Sequence, residues 1–236
     1  MSNDEIKIIK EAVKKAAFFI IKGESEEDHL ANHHAMACLA VWKSYKLLKE
    51  EKLLHGYEKL WQNFKSYCDL SEGWSLEYDG IDPGYLSATI SFLAKIYQDN
   101  KDQRILELCK KSIEMCSYFI YPNGFYAGSM GSRNTQHFYS HGFEIFGKDY
   151  KLSHSIANKM LESLSYNKLV PPEIMSDRYL FYRVPELIQS YINFVDREGD
   201  LPAVPYEQND ISVYLPNSKI FILSNKTKYL IVNLAK

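Results

Sequence analysis

The sequence predicts a mainly α-helical protein, an incomplete α/α toroid of paired helices followed by a small β segment. Three observations carry this. Up to about residue 195, apolar residues recur at three- and four-residue steps, the period of an amphipathic helix. The long connections 71–84 and 121–134 fall after alternate helices, which places them at the same end of a paired array. After Gly199 the pattern changes to short β-prone runs separated by turns. The expected division is a toroid-like helical domain over 1–198 and a C-terminal β segment over 199–236. No repeat of 20–50 residues is visible, which argues against a repeat protein.

Taken in order, the first helix spans 4–22, with Ile6, Ile9, Val13, Ala16, Ala17 and Ile20 on one stripe and Gly23 as its stop. The second covers 29–50 through Ala31, Ala35, Cys38, Leu39, Trp42 and Tyr45. The third covers 54–69 through Tyr57, Leu60, Trp61, Phe64 and Tyr67. A polar, glycine-containing loop over 71–84 leads to a fourth helix near 84–98, with Pro83 just before it, where a missing N–H costs nothing. A fifth, 102–120, carries Ile105, Leu108, Cys109, Ser112, Ile113 and Cys116. Tyr121-Pro122-Asn123-Gly124 turns the chain, and 125–134, rich in small residues, reads as irregular backbone suited to close approach by a ligand. Helices are expected again over 135–146, 149–165 and 177–195. The β-prone runs are Ile211–Leu215, Lys219–Leu223 and Tyr229–Leu234, and so few strands must pack on the helices or on another chain.

The composition restricts function. Twenty-eight basic against thirty acidic residues give a net charge of −2, so no general field for nucleic acid exists. No apolar run approaches the ~18–20 residues of a membrane span. Met1-Ser2-Asn3-Asp4-Glu5 lacks the basic and apolar regions of a secretory signal, which points to the cytoplasm. Cys38, Cys68, Cys109 and Cys116 form no CxxC pair and read as free thiols in reducing surroundings.

Polar residues gather in three clusters. Asn32, His33 and His34 open an otherwise small-residue helix that Asp28 or Asn32 is placed to cap. Trp74, Glu77, Tyr78, Asp79, Asp82 and Tyr85 lie close together in the 71–84 loop and just after it. Aromatic faces with carboxylates suit sugar rings and hydroxyls. Arg133, Asn134, His137 and His141 form the third cluster. Arg133 suits a carboxylate, and the two histidines at i, i+4 would share a helix face. No third metal ligand accompanies them, so neither a metal nor another cofactor is expected.

Asn, His, Tyr and Arg together fit β-elimination on a uronic acid sugar. Asn32, with Arg133 or His34, would hold the C6 carboxylate. His33 or a tyrosinate would take the C5 proton, and Tyr85 would protonate the departing oxygen. The expected site is Asn32, His33, Tyr85, Arg133 and His137, with His34, Trp74, Tyr78, Asp82, Asn134 and His141 as substrate contacts.

On these residues the chain resembles the α/α-toroid polysaccharide lyases, the alginate lyase and heparinase II/III-like group. The resemblance rests on Asn32-His33 heading a helix, on Tyr85 opening another 52 residues after His33, on Gly131-Ser132-Arg133-Asn134-Thr135, and on the β run from Tyr214. It covers about residues 25–235 and implies a short or truncated member acting on an acidic oligo- or polysaccharide. A uronate C5-epimerase shares the proton abstraction. A toroid glycoside hydrolase would instead use Glu77, Asp79 or Asp82, and a non-catalytic glycan-binding protein would keep only the groove. The unpaired terminal strands point to a homodimer or a missing domain.

Overall fold

A computed structural model of the chain describes residues 1–23, 29–131, 137–197 and 199–235. Among them are eight α-helices and two small antiparallel sheets. The helices are α1 (Asn3–Lys22), α2 (Ala31–Leu48), α3 (Glu51–Ser66), α4 (Pro83–Asn100), α5 (Gln103–Ser117), α6 (His141–Phe146), α7 (Lys151–Ser165) and α8 (Asp177–Asn193).

Local signals set several helix ends. Ser2 and Glu5 form a reciprocal capping box at the start of α1, and Gly23 ends it at φ 68°, where a side chain would be strained. Asp82 caps α4, accepting the Tyr85 N–H at 3.0 Å, with Pro83 at the first helical position. α2 has no such local cap. Glu77, distant in sequence, accepts its Asn32 N–H at 2.7 Å, so the expected capping role of Asn32 is corrected; Asp28 lies outside the described residues.

Packing follows the chain order in a regular way. α2 packs on α3 and α4, α4 on α5 and α6, and α6 on α7 and α8. Alternate helices therefore form one row, α2–α4–α6–α8, with α3, α5 and α7 each packed on the row helix that precedes it. The predicted core stripes of α3 and α5 are buried: Tyr57, Leu60, Trp61 and Phe64, then Ile105, Leu108, Cys109, Ser112, Ile113 and Cys116. On α1 only Ala17 is buried, and Ile9 of the expected stripe is exposed. All four cysteines are free thiols.

Two expectations are corrected. The third helix ends at Ser66, and β1 (Cys68–Asp69), where that helix was expected to continue, pairs with β2 (Trp74–Glu77) and β2 with β3 (Gly80–Ile81) of the 71–84 loop, two-residue strands flanking a four-residue one. The helix expected over 135–146 begins only at His141, so His137 precedes it and the two histidines share no helix face. The terminal strands β4 (Ile211–Leu215), β5 (Ile220–Ser224) and β6 (Tyr229–Asn233) form an antiparallel sheet packed on the helices, one of the placements expected for them. Ile220, Ile222 and Ile231 join the same hydrophobic cluster as the helical core. The two long connections do meet. Tyr126 donates its hydroxyl to the Pro83 carbonyl at 3.0 Å, and a Cβ on Gly131 would strike the Asp82 carboxylate. Among the described residues no helix is long and apolar enough to cross a membrane.

Candidate functional site

A pocket of about 180 Å³ opens where the N-terminal halves of α2, α4 and α8 approach. α2 contributes Asn32, His33 and Met36, and the β2–β3 turn contributes Tyr78. α4 contributes Tyr85, Ala88 and Phe92. Tyr139 precedes α6, and Arg178, Tyr179 and Tyr182 come from the first turns of α8. Four predicted residues, Asn32, His33, Tyr78 and Tyr85, therefore meet in one concave site. The helix row brings them together: residues one or two turns into successive row helices face the same end.

His33 is exposed and Asn32 is buried beside it. Asn32 donates one amide N–H to Glu77 Oε2 at 2.6 Å while its backbone N–H reaches Glu77 Oε1. Asn32 also lines the pocket. Glu77 is 3% exposed. Burial pushes its carboxyl up to about 8, against the pull of the Asn32 N–H groups, and nearby Asp82 adds to the rise. Tyr78 sits at φ 55°, a left-handed conformation uncommon for an aromatic residue. Its N–H donates to the His29 carbonyl at 2.8 Å, fixing the turn that presents its ring.

Arg178, Tyr139, Tyr179 and Tyr182 were missed at the sequence level. Arg178, Tyr179 and Tyr182 fall within the first two turns of α8, a spacing that was legible. Tyr139 had no signal of its own. Burial raises the Tyr139 phenol, only partly offset by Arg183, so it keeps its proton at neutral pH.

The other predicted residues lie elsewhere. His34 is buried, stacks on Tyr67 at 4.7 Å and accepts the Asn63 amide N–H at Nδ1, so it braces α2 against α3. Trp74 lines a separate cavity with Gly73, Arg104 and Lys111. Asp82 is 1% exposed and serves as the α4 cap. His137 stacks behind Tyr179 at 4.5 Å; burial, with Arg183 nearby, lowers it to about 4 and leaves it neutral at pH 7. His141 is buried, donating its backbone N–H to Glu186 and its Nε2–H to Asn193 Oδ1 at 2.8 Å. Arg133 and Asn134 lie outside the described residues. No group of three metal-ligating side chains occurs among the described residues.

Comparison with known proteins gives no match to any family model, curated protein or solved structure.

Proposed function

We propose that this protein binds an acidic oligo- or polysaccharide in the Asn32–His33–Tyr85 pocket and cleaves it by β-elimination at a uronate. One observation carries the reading: an imidazole, a phenol and an amide from two helices line one pocket, with the Arg178 guanidinium beside them. Arg178 takes the role that the sequence offered to Arg133, and with the Asn32 amide it accepts the C6 carboxylate and the charge that develops there. His33 removes the C5 proton. The electron pair left on C5 forms the C4–C5 double bond as the C4–O bond breaks. Tyr85 gives its proton to the departing oxygen, and the proton held by His33 passes through water to restore the phenol, leaving both groups as they began.

Two carboxyls of the acidic loop stand back from the substrate: Glu77 is buried and raised to about 8, and Asp82 is buried as the α4 cap. The pocket lining also weighs against the hydrolase reading, since none of Glu77, Asp79 and Asp82 belongs to it. The helix row is what an α/α toroid would build from, and we include that architecture in the proposal. Pairing of two copies through the outer edges of β4 and β6 belongs to it as well.

The test is incubation with uronate polymers while following the absorbance of the 4,5-unsaturated product. His33→Ala and Tyr85→Phe are expected to lower kcat by about 10²-fold or more, the scale of a lost acid or base, with folding retained. Solvent-deuterium incorporation at C5 without the chromophore would mark an epimerase. Binding with neither product would mark a lectin. Full activity in both variants would end the proposed chemistry.

A further inference from the structure

Each helix of the row except α8 is covered by the helix that follows it: α2 by α3, α4 by α5 and α6 by α7. Short connections join these pairs, so each covering helix runs antiparallel to its row helix. Among the described residues no α-helix follows α8. Its inner face packs on α6, and Arg183 and Glu186 are buried there. The opposite face is open, and it is apolar throughout.

Phe181, Val184, Ile188 and Tyr191 succeed one another at steps of three, four and three residues, the spacing of a helix-pairing seam. Pro185 and Ile192 lie beside them. Phe181 is 78% exposed, Ile188 53%, Tyr191 84% and Ile192 69%. From Phe181 to Asn193 the only charged residues are Arg183 and Glu186, both on the buried side. A helix face built for water carries charged or polar residues, and this one carries none.

Area and pattern decide what covers it. At about 200 Å² for an aromatic side chain, and somewhat less for an aliphatic one, these exposures leave roughly 650 Å² of apolar surface bare. That exceeds the largest patch of a typical monomer, about 300–600 Å². It falls within the ~600–1,000 Å² that each partner gives to a stable complex. Lack of charge is the mark of the core of such an interface, and homodimers show it most strongly. The seam also reads the same in both directions: an aromatic residue, two aliphatic ones and a second aromatic one. Such a pattern is complementary to itself about a two-fold axis.

We propose that α8 pairs antiparallel with α8 of a second copy of this chain, which takes the covering position that α3, α5 and α7 hold on the other row helices. Val184 then meets the partner's Ile188, and Phe181 meets the partner's Tyr191. The interface is separate from the outer edges of β4 and β6.

The experiment is sedimentation velocity of the full chain at about 20 μM, above the micromolar Kd of weak interfaces of this size. Twice the monomer mass of 27.4 kDa is expected. Ile188→Lys puts an uncompensated charge in the seam and should weaken association about 30-fold or more. Its helicity by circular dichroism should not change, because Ile188 is exposed in the single chain. Val184→Glu should behave alike. Mixing the two variants sets opposite charges against each other across the axis and should restore about tenfold or more of the lost affinity. Tyr191→Ala adds no charge and should weaken association about tenfold, so the test holds if a charged variant fails to fold. Should the edges of β4 and β6 pair as well, the same variants take a tetramer to a dimer. A monomeric wild type, association unaffected by Ile188→Lys and Tyr191→Ala, or no recovery on mixing the folded variants would overturn the proposal. So would a monomer that sediments with phosphatidylcholine vesicles, which would assign the face to a membrane. No readout depends on a saccharide, so failure here and failure of the sugar reading are separate results.

Discussion

Glu77 is a carboxyl whose environment works against its charge. It sits on a short strand, almost fully buried, yet both its oxygens accept from Asn32. Its carboxyl is raised from 4.5 to about 8, with burial the chief cause. The sign of the linkage follows directly. The folded state holds this proton more tightly than the unfolded chain, so the stabilisation is fully present below about pH 4.5 and is lost as pH climbs toward 8. At about 1.4 kcal/mol per pH unit, the loss is up to roughly 5 kcal/mol. Glu77→Gln should flatten this decline, which urea-unfolding midpoints at pH 5, 7 and 9 would read. If the sugar reading is right, the wild-type KM for an acidic glycan should also rise above pH 8, where a new negative charge appears behind Asn32, and the variant should not show that rise.

At the scale of elements, the junction of α4, α6 and α8 decides how the row is built. Gly142 lets α6 lie against the α4 backbone. A Cβ there would come within 2.8 Å of the Ser91 Cα and 2.9 Å of its nitrogen. Backbone cannot yield as a side-chain tip does, so Gly142→Ala should cost about 1–3 kcal/mol, the usual penalty of overpacking. The same junction holds Glu186, whose carboxylate takes Lys95, Ser91 and the His141 N–H. Burial alone would raise Glu186, but Lys95 and Ser91 outweigh it and hold it low. A loss of denaturant midpoint in Gly142→Ala without loss of far-ultraviolet helicity would match a shifted rather than an unfolded α6. Unchanged stability would show that the α4–α6 approach is looser than these distances imply.

On the scale of the whole molecule, the terminal sheet is fastened to the helices by polar and apolar contacts together. Glu72 accepts the backbone N–H groups of Asn217 and Ser218 at 2.7 and 2.8 Å, and Tyr229 donates its hydroxyl to the Tyr118 carbonyl at 2.8 Å. With Ile220, Ile222 and Ile231 in the common hydrophobic cluster, the strands and helices should unfold together. Glu72→Ala removes a charged acceptor from two N–H groups and should cost about 1–2 kcal/mol. Differential scanning calorimetry should show one transition, lowered by a few degrees. A second, earlier transition would mean that the sheet melts on its own.

Much of the fold was legible because it rests on periodic local signals. The apolar stripes of α3 and α5, the Gly23 stop, the Pro83 start and the three terminal strands are each set by residues a few positions apart. Asn32, His33 and Tyr85 were legible for the same reason, as polar residues interrupting helix starts. The rest depended on contacts that sequence spacing does not encode. Glu77 caps a helix 45 residues upstream. His34, Asp82 and His141 carry the residue types of a sugar site but are consumed by Asn63, the Tyr85 N–H and Asn193. Arg178 reaches the pocket only because α8 packs at the end of the row. The sequence by itself determined most of the helices, the terminal strands and the core faces of α3 and α5, since these follow from short-range backbone preference and the period of burial. Only the tertiary structure decided which polar groups face solvent in a shared pocket and which are sealed as caps and braces, because that depends on whether a distant donor or acceptor arrives to satisfy them.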